Sequence, residues 1–188
     1  MVEGVGYKPG APGSGQLQGW WWGENLWGAK TARVTISDMS KLVYSPHTYG
    51  PSVYMQDYFK SWDFPNNMPG IWDSHFGFVQ QATGAPVVIG EYGGMYDGKD
   101  KQWQDKFFQY INSKQMGSFY FALNPDSDDT GGILLKDWTT PEAGKLAGLN
   151  TIRATSVAGL VKNPNHRRQL DAGVNETRQE IPPPPWSR

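Results

Sequence analysis

The chain contains no cysteine. Disulfides and thiolate metal sites are therefore excluded, and nothing about compartment follows from that. Histidine is scarce: His47, His75 and His166 are the only three, and their spacing matches no metal-ligand pattern. Nowhere do about eighteen apolar residues run together, so no membrane-spanning helix is expected. A net charge of −1 gives no electrostatic reason to expect nucleic acid or an anionic membrane as partner. Met1 is followed at once by Val-Glu-Gly-Val, without the basic and apolar regions of a secretory leader, so no signal peptide is expected. Gly13-Ser14-Gly15 opens no helix after a strand and makes a weak phosphate loop. No repeat at solenoid spacing is present.

Aromatic residues, by contrast, are abundant. Nine Trp, nine Tyr and eight Phe in 188 residues either fill a core or line a surface for flat apolar partners such as sugar rings. Strands are expected at 2–5, 42–47, 87–91 and 118–123. Between the later ones lie helical patterns. Trp72, Phe76 and Val79 recur at helical spacing between Pro69-Gly70 and Gly84. Trp103, Phe107, Tyr110 and Ile111 form a second face, with Asp100 as N-cap and Gly117 as the stop. Thr140-Pro141-Glu142 reads as an N-cap with Pro at the first helical position, and Leu146 and Leu149 continue that face. This alternation predicts an α/β fold with parallel strands and right-handed crossovers.

Two stretches fall outside the pattern. Residues 6–40, with the Trp20-Trp21-Trp22-Gly23-Glu24-Asn25 run, are too long and too aromatic for a plain connector and read as a functional surface loop. Residues 151–188, with the Pro run at 182–185, have no amphipathic period and read as a flexible Pro-rich tail. Asn175-Glu176-Thr177 in that tail has the form of a glycosylation acceptor. Trp62, Trp72 and Trp103 read as core, and His75 as a surface or packing residue. The Asp126–Asp137 region is a near miss to an EF-hand loop. Its Thr130, its Asp137 and Pro125 all depart from that pattern, so a loop braced by local carboxylate hydrogen bonds is expected.

Polar candidates cluster at the C-terminal ends of the strands: His47 and Tyr49, Glu91, and Asn124. In parallel (β/α) folds these ends converge on one face, where active sites lie. Glu91 ends an apolar strand and is followed by Gly93-Gly94. A carboxylate so placed is costly unless it is solvated, paired or used. A structural ion pair remains an alternative reading of Glu91, and a hydrogen-bonded rim position an alternative for His47.

The runs Lys41-Leu-Val-Tyr-Ser-Pro-His-Thr-Tyr-Gly-Pro51, Phe64-Pro-Asn-Asn-Met-Pro-Gly-Ile-Trp72, Val88-Ile-Gly-Glu-Tyr-Gly-Gly94 and Asn124-Pro-Asp-Ser-Asp-Asp-Thr-Gly-Gly-Ile-Leu134 resemble glycoside hydrolase family 5, in its endo-β-1,4-glucanase branch. Val2-Glu-Gly-Val5 and Trp21-Trp-Gly-Glu-Asn-Leu26 resemble it too, so the likeness extends over residues 1–149. The resemblance implies a (β/α)8 TIM barrel, a retaining mechanism on cellulose-like β-glucan, an extracellular setting, and no metal or organic cofactor. By resemblance Glu91 is the nucleophile at the end of the seventh strand, and His47 and Tyr49 are the sixth-strand pair beside it. Trp21 and Trp22 are loop aromatics that stack on glucose rings, and Asn124 begins the loop after the eighth strand.

Two departures carry weight. Segment 2–5 matches the fifth strand, so strands one to four, and the acid/base Glu preceded by Asn on the fourth, have no counterpart. Glu3 is on the wrong strand for that role, and Glu24 lies outside the Asn-Glu pattern. Phe121 stands where the family usually has Trp, which removes an indole donor and some stacking area. A whole barrel needs about 250 residues, so the expectation is an open half-barrel of strands 5–8 over residues 1–150. That half-barrel would self-associate or be completed by an N-terminal half. Loss of the acid/base would alternatively leave a sugar-binding but catalytically dead module, or a truncated gene product.

Overall fold

A computed structural model describes residues 1–9 and 17–154. The Gly13-Ser14-Gly15 segment, the glycosylation triplet, His166 and the Pro run lie outside the described residues. The first unit of the chain is Met1–Ile152.

Within the first unit, a short antiparallel ribbon pairs β1 (Tyr7–Pro9) with β2 (Leu17–Gly19) inside the aromatic loop region. The main sheet has three parallel strands in the order β3 (His47–Tyr49), β4 (Val88–Gly93) and β5 (Gly117–Tyr120). The parallel, alternating architecture is the one the sequence pattern predicts. β4 is central, and Val87, Ile89 and Tyr92 are buried in and beside it, as expected of a strand covered on both faces.

The strand limits differ from those expected. The ladder beside β4 is regular only from His47, although Tyr44 forms single bridges to Val2 and Val87. Pro46 interrupts it: its carbonyl accepts from Gly90 N at 2.8 Å, but it has no N–H to return. Segment 2–5 is no regular strand either. Val2 bridges Tyr44 in parallel and Val5 bridges Asn25 in antiparallel sense, so the segment lies between the aromatic loop and the sheet. Gly4 packs so closely there that a Cβ would stand 2.6 Å from the carbonyl oxygens of Gly23 and Asn25.

The first helical pattern is not one helix. It divides into α1 (Met68–Trp72), a π-helical turn at Asp73–Gly77 and α2 (Val79–Thr83), ending on Gly84 at φ +74°. Tyr110 explains the wide turn: its hydroxyl donates to Asp73 Oδ1 at 2.7 Å and packs against the bare Cα of Gly77. α3 (Gly98–Lys114) buries Trp103, Phe107, Tyr110 and Ile111, the face its period predicts. Asp97, not Asp100, holds its N-cap position, because the Asp100 side chain is engaged elsewhere. The helix stops at Gln115 (φ 54°), which leaves Gly117 free to open β5. α4 (Ala143–Leu149) is capped by Glu142, which accepts from Gly144 N and Lys145 N at 3.0 and 2.6 Å. Thr140 is instead turned onto Asp137. Leu149 packs on the core while Leu146 is exposed.

The core lies between the sheet and these helices. Trp72, Trp103, Phe107 and Tyr110 stack and tilt against one another at centroid distances of 4.7–6.1 Å. Each ring taken fully out of water contributes on the order of 2–3 kcal/mol. Trp72 and Trp103 are core residues as expected, but Trp62 is not: it is 96% exposed. Phe59 and Phe64, in edge contact at 5.7 Å, fill the inner side of that loop and leave Trp62 outside.

Candidate active site

β3 and β4 run in register so that His47 lies opposite Glu91 and Tyr49 opposite Gly93. Side chains two apart on one strand share a face, and both His47 and Tyr49 reach Glu91. The Tyr49 hydroxyl donates to Glu91 Oε2. His47 Nδ1 stands 3.6 Å from the same oxygen, a distance for one bridging water rather than a direct hydrogen bond. Burial first, and then the hydrogen bond to Glu91, push the Tyr49 phenol well above its ordinary range. It therefore stays protonated and keeps donating. The imidazole lies so close to β4 that a Cβ at position 90 would stand 2.8 Å from His47 Nε2, which explains why Gly90 precedes Glu91.

Glu3 belongs to this group as well, which sequence reasoning missed. Its Oε1 lies 3.7 Å from His47 Nδ1, so carboxylates from two elements flank one imidazole. The parallel bridge of Val2 to Tyr44 and the bond from Ser45 N to Val2 O (2.7 Å) carry Glu3 to the level of His47. Only the register of that pairing places Glu3 there, and no motif announced it. Gly23, at φ +78°, makes room for its side chain.

The aromatic residues extend the site. Trp21 is buried (7% exposed) and makes edge contacts with Tyr49 at 5.6 Å and with Tyr54 at 6.5 Å. Phe121 meets Tyr49 from another side at 6.3 Å, and its N–H bonds Tyr92 O at 2.9 Å. Trp22 projects into solvent at 79% exposure. Asn124 is half-buried beyond β5, with its carbonyl against Gly132. The structure thus brings His47, Tyr49, Trp21 and Phe121 into one line of contacts with Glu91, with Trp22 and Asn124 on adjoining loops.

Behind that line sits Glu24, wholly buried. It accepts from Thr48 Oγ1 at 2.9 Å and from Trp21 N at 3.3 Å. His75 Nδ1 is 3.1 Å away, close but not aligned as a hydrogen bond. His75 is thus a packing residue, and its ring stacks on Trp20 at 3.6 Å. The loop after β5 is braced locally, as its sequence suggests: Ser127 Oγ donates to Asp129 Oδ1 at 2.9 Å and lies 2.5 Å from Thr130 Oγ1. Among the described residues no group of three or more acidic or imidazole side chains is arranged to hold a metal ion.

Comparison with known proteins gives a consistent answer. The chain is 40% identical over 143 residues to an endoglucanase of Paenibacillus polymyxa, covering 74% of this chain and 35% of that protein. It is 42% identical over 159 residues to the major extracellular endoglucanase of Xanthomonas campestris pv. campestris, covering 82% and 32%. The chain therefore spans about a third of the length of these curated relatives. Among solved structures, an endocellulase from Pyrococcus horikoshii in complex with cellotetraose matches with TM-score 0.72 and 42% identity, over 79% of this chain and 41% of that one. The catalytic domain of the Xanthomonas enzyme matches with TM-score 0.68 and 40% identity, over 80% and 43%. The parallel sheet with its helices corresponds to part of the TIM barrel of these proteins. A model of the cellulase family covers residues 1–127, and the chain belongs to that family, glycosyl hydrolase family 5.

Proposed function

We propose that residues 1–150 are strands five to eight of a retaining β-1,4-glucan hydrolase, and that Glu91 is its nucleophile. The observation that carries this reading is the Tyr49 hydroxyl donating to Glu91 Oε2, with His47 3.6 Å from the same oxygen. A carboxylate held by a phenol and flanked by an imidazole on the neighbouring strand is oriented for attack. Glu91 attacks the anomeric carbon; a carbon–oxygen bond to carbohydrate forms as the bond to the departing sugar oxygen breaks. Water then cleaves the glycosyl-enzyme. Trp22 and Phe121 line the path of the sugar chain, Trp21 braces it from below, and Asn124 borders it. The substrate is a neutral cellulose-like polymer, and the setting is extracellular, as the name of the Xanthomonas relative states for that protein.

The departing alcohol needs a proton, and on the sequence reading its donor is the Asn-Glu carboxyl of a fourth strand outside this half. Lack of that acid costs roughly two to four powers of ten with unactivated substrates. Activity on glucan is therefore expected when a polypeptide carrying the first four strands is co-expressed. Alone, the chain associates with a second copy through the β5 side, where Phe119 and Leu123 are about 60% exposed. A chain that sediments as a monomer at every concentration overturns this association.

A substrate whose leaving group needs no proton isolates the nucleophile. Incubation with 2,4-dinitrophenyl 2-deoxy-2-fluoro-β-cellobioside should add one fluorocellobiosyl group to the peptide bearing Glu91, and none to Glu91→Gln. A chain that stays unlabelled, or is labelled elsewhere, overturns the assignment. Cellohexaose binding without labelling would support the second reading, a catalytically silent sugar-binding half-barrel, which the outward-facing Trp22 ring favours.

A further inference from the structure

Resting on Glu91 as the nucleophile, we propose that Glu3 is a positioning residue: it holds the His47 imidazole back from closing on Glu91. His47 Nδ1 stands 3.7 Å from Glu3 Oε1 and 3.6 Å from Glu91 Oε2, so one nitrogen is shared almost equally between two carboxylates. The opposite edge of the ring lies against β4: a Cβ at Gly90 would stand 2.8 Å from Nε2 and 2.9 Å from Cδ2. With that edge blocked, the movement left to Nδ1 is toward one carboxylate or the other. The balance leaves Glu91 Oε2 to the Tyr49 hydroxyl. A ring that closed on Oε2 would occupy a lone pair of the attacking group and draw it off its line.

Glu3 suits this task because the backbone on both sides of it is tied. Toward the segment before β3, Val2 N bonds Val43 O at 2.8 Å and Ser45 N bonds Val2 O at 2.7 Å. Toward the aromatic loop, Gly4 N bonds Gly23 O at 3.1 Å. The side chain lies over Gly23, where a Cβ would stand 2.5 Å from Oε1 and 2.9 Å from Cγ. A carboxylate braced in this way is a fixed point for the ring beside it, even with the side chain 44% exposed. Its charge also reaches the other partner of Glu91: burial first, then Glu91, Asp129 and Glu3, push the Tyr49 phenol up.

Timed labelling by 2,4-dinitrophenyl 2-deoxy-2-fluoro-β-cellobioside, over a range of its concentrations, separates binding from reaction. Glu3→Ala should lower the limiting rate of Glu91 labelling roughly three- to tenfold and leave the half-saturating concentration unchanged. Glu3→Gln keeps an oxygen acceptor of the same reach and should recover most of that rate. In a His47→Ala chain, Glu3→Ala should add no further loss, because Glu3 acts through the imidazole. An unchanged rate in Glu3→Ala, a loss carried wholly by weaker binding, or an equal loss in the His47→Ala chain overturns the proposal. Nitrogen NMR of the histidine-labelled chain gives a second readout: Glu3→Gln should move the ring signals of His47 and not those of His75. Unmoved His47 signals overturn the contact itself. A chain that takes no label, yet whose His47 signals move, overturns Glu91 as nucleophile and leaves the hold of Glu3 on His47 standing.

Discussion

Tyr49 joins more of the candidate site than any neighbour: its hydroxyl holds Glu91, and its ring touches both Trp21 and Phe121. Tyr49→Phe keeps the ring and removes only the donor. Labelling of Glu91 should slow by about tenfold, the effect of a modest misplacement of a reacting group, with thermal stability little changed; mass spectrometry against time reads it. Glu24 has the opposite character. It touches no substrate path, yet Glu24→Ala would leave Thr48 and Trp21 N without their acceptor inside the protein. That should cost about 3 kcal/mol in urea unfolding, with Glu24→Gln costing less because it still accepts. Both roles were only half legible. The motif marked Tyr49, whereas Glu24 was read as a loop residue, because its burial depends on Thr48 and His75 arriving from two other elements.

Among the elements, the first turn of α3 decides the most. Asp100 accepts from Ser52 Oγ, Tyr96 N and Gln104 Nε2 at 2.9, 2.9 and 2.6 Å, and its carboxylate fits against the bare Cα atoms of Gly50 and Gly94. It ties the loops after β3 and β4, the two strands that bear the site, to one rigid helix. Asp100→Ala should lower stability by about 2–4 kcal/mol, seen as a fall in the urea midpoint, and raise hydrogen exchange at Ser52 and Tyr96. The sequence pattern read Asp100 as a cap. The spacing was correct to within a turn, but the carboxylate serves long-range partners that local rules do not see.

The whole molecule is organised around buried rings, and its alkaline behaviour follows. Burial raises the phenols of Tyr49, Tyr58, Tyr110 and Tyr120 beyond the ordinary value of 10, and takes Tyr92 up to about 12. Each keeps its proton in the folded chain after the unfolded chain has lost it. The unfolded state therefore binds fewer protons above pH 10, and stability falls as pH rises through that value. Spectrophotometric titration should show these tyrosines ionising together with unfolding, above pH 10. A gradual titration of all nine near pH 10 in a chain that remains folded would contradict this.

Composition and periodicity by themselves determined the aromatic core, the parallel α/β order and the placement of Glu91 on a strand, although that strand runs on to Gly93 rather than ending at Glu91. Each rests on interactions between residues close in sequence, or on an average over many residues. Only the tertiary structure decided that Glu3 reaches His47 and that Trp21 is buried while Trp62 is not. Those outcomes depend on strand register and on which loop covers which ring. Register and cover arise from pairings between elements tens of residues apart, and a one-residue slip would reverse each of them.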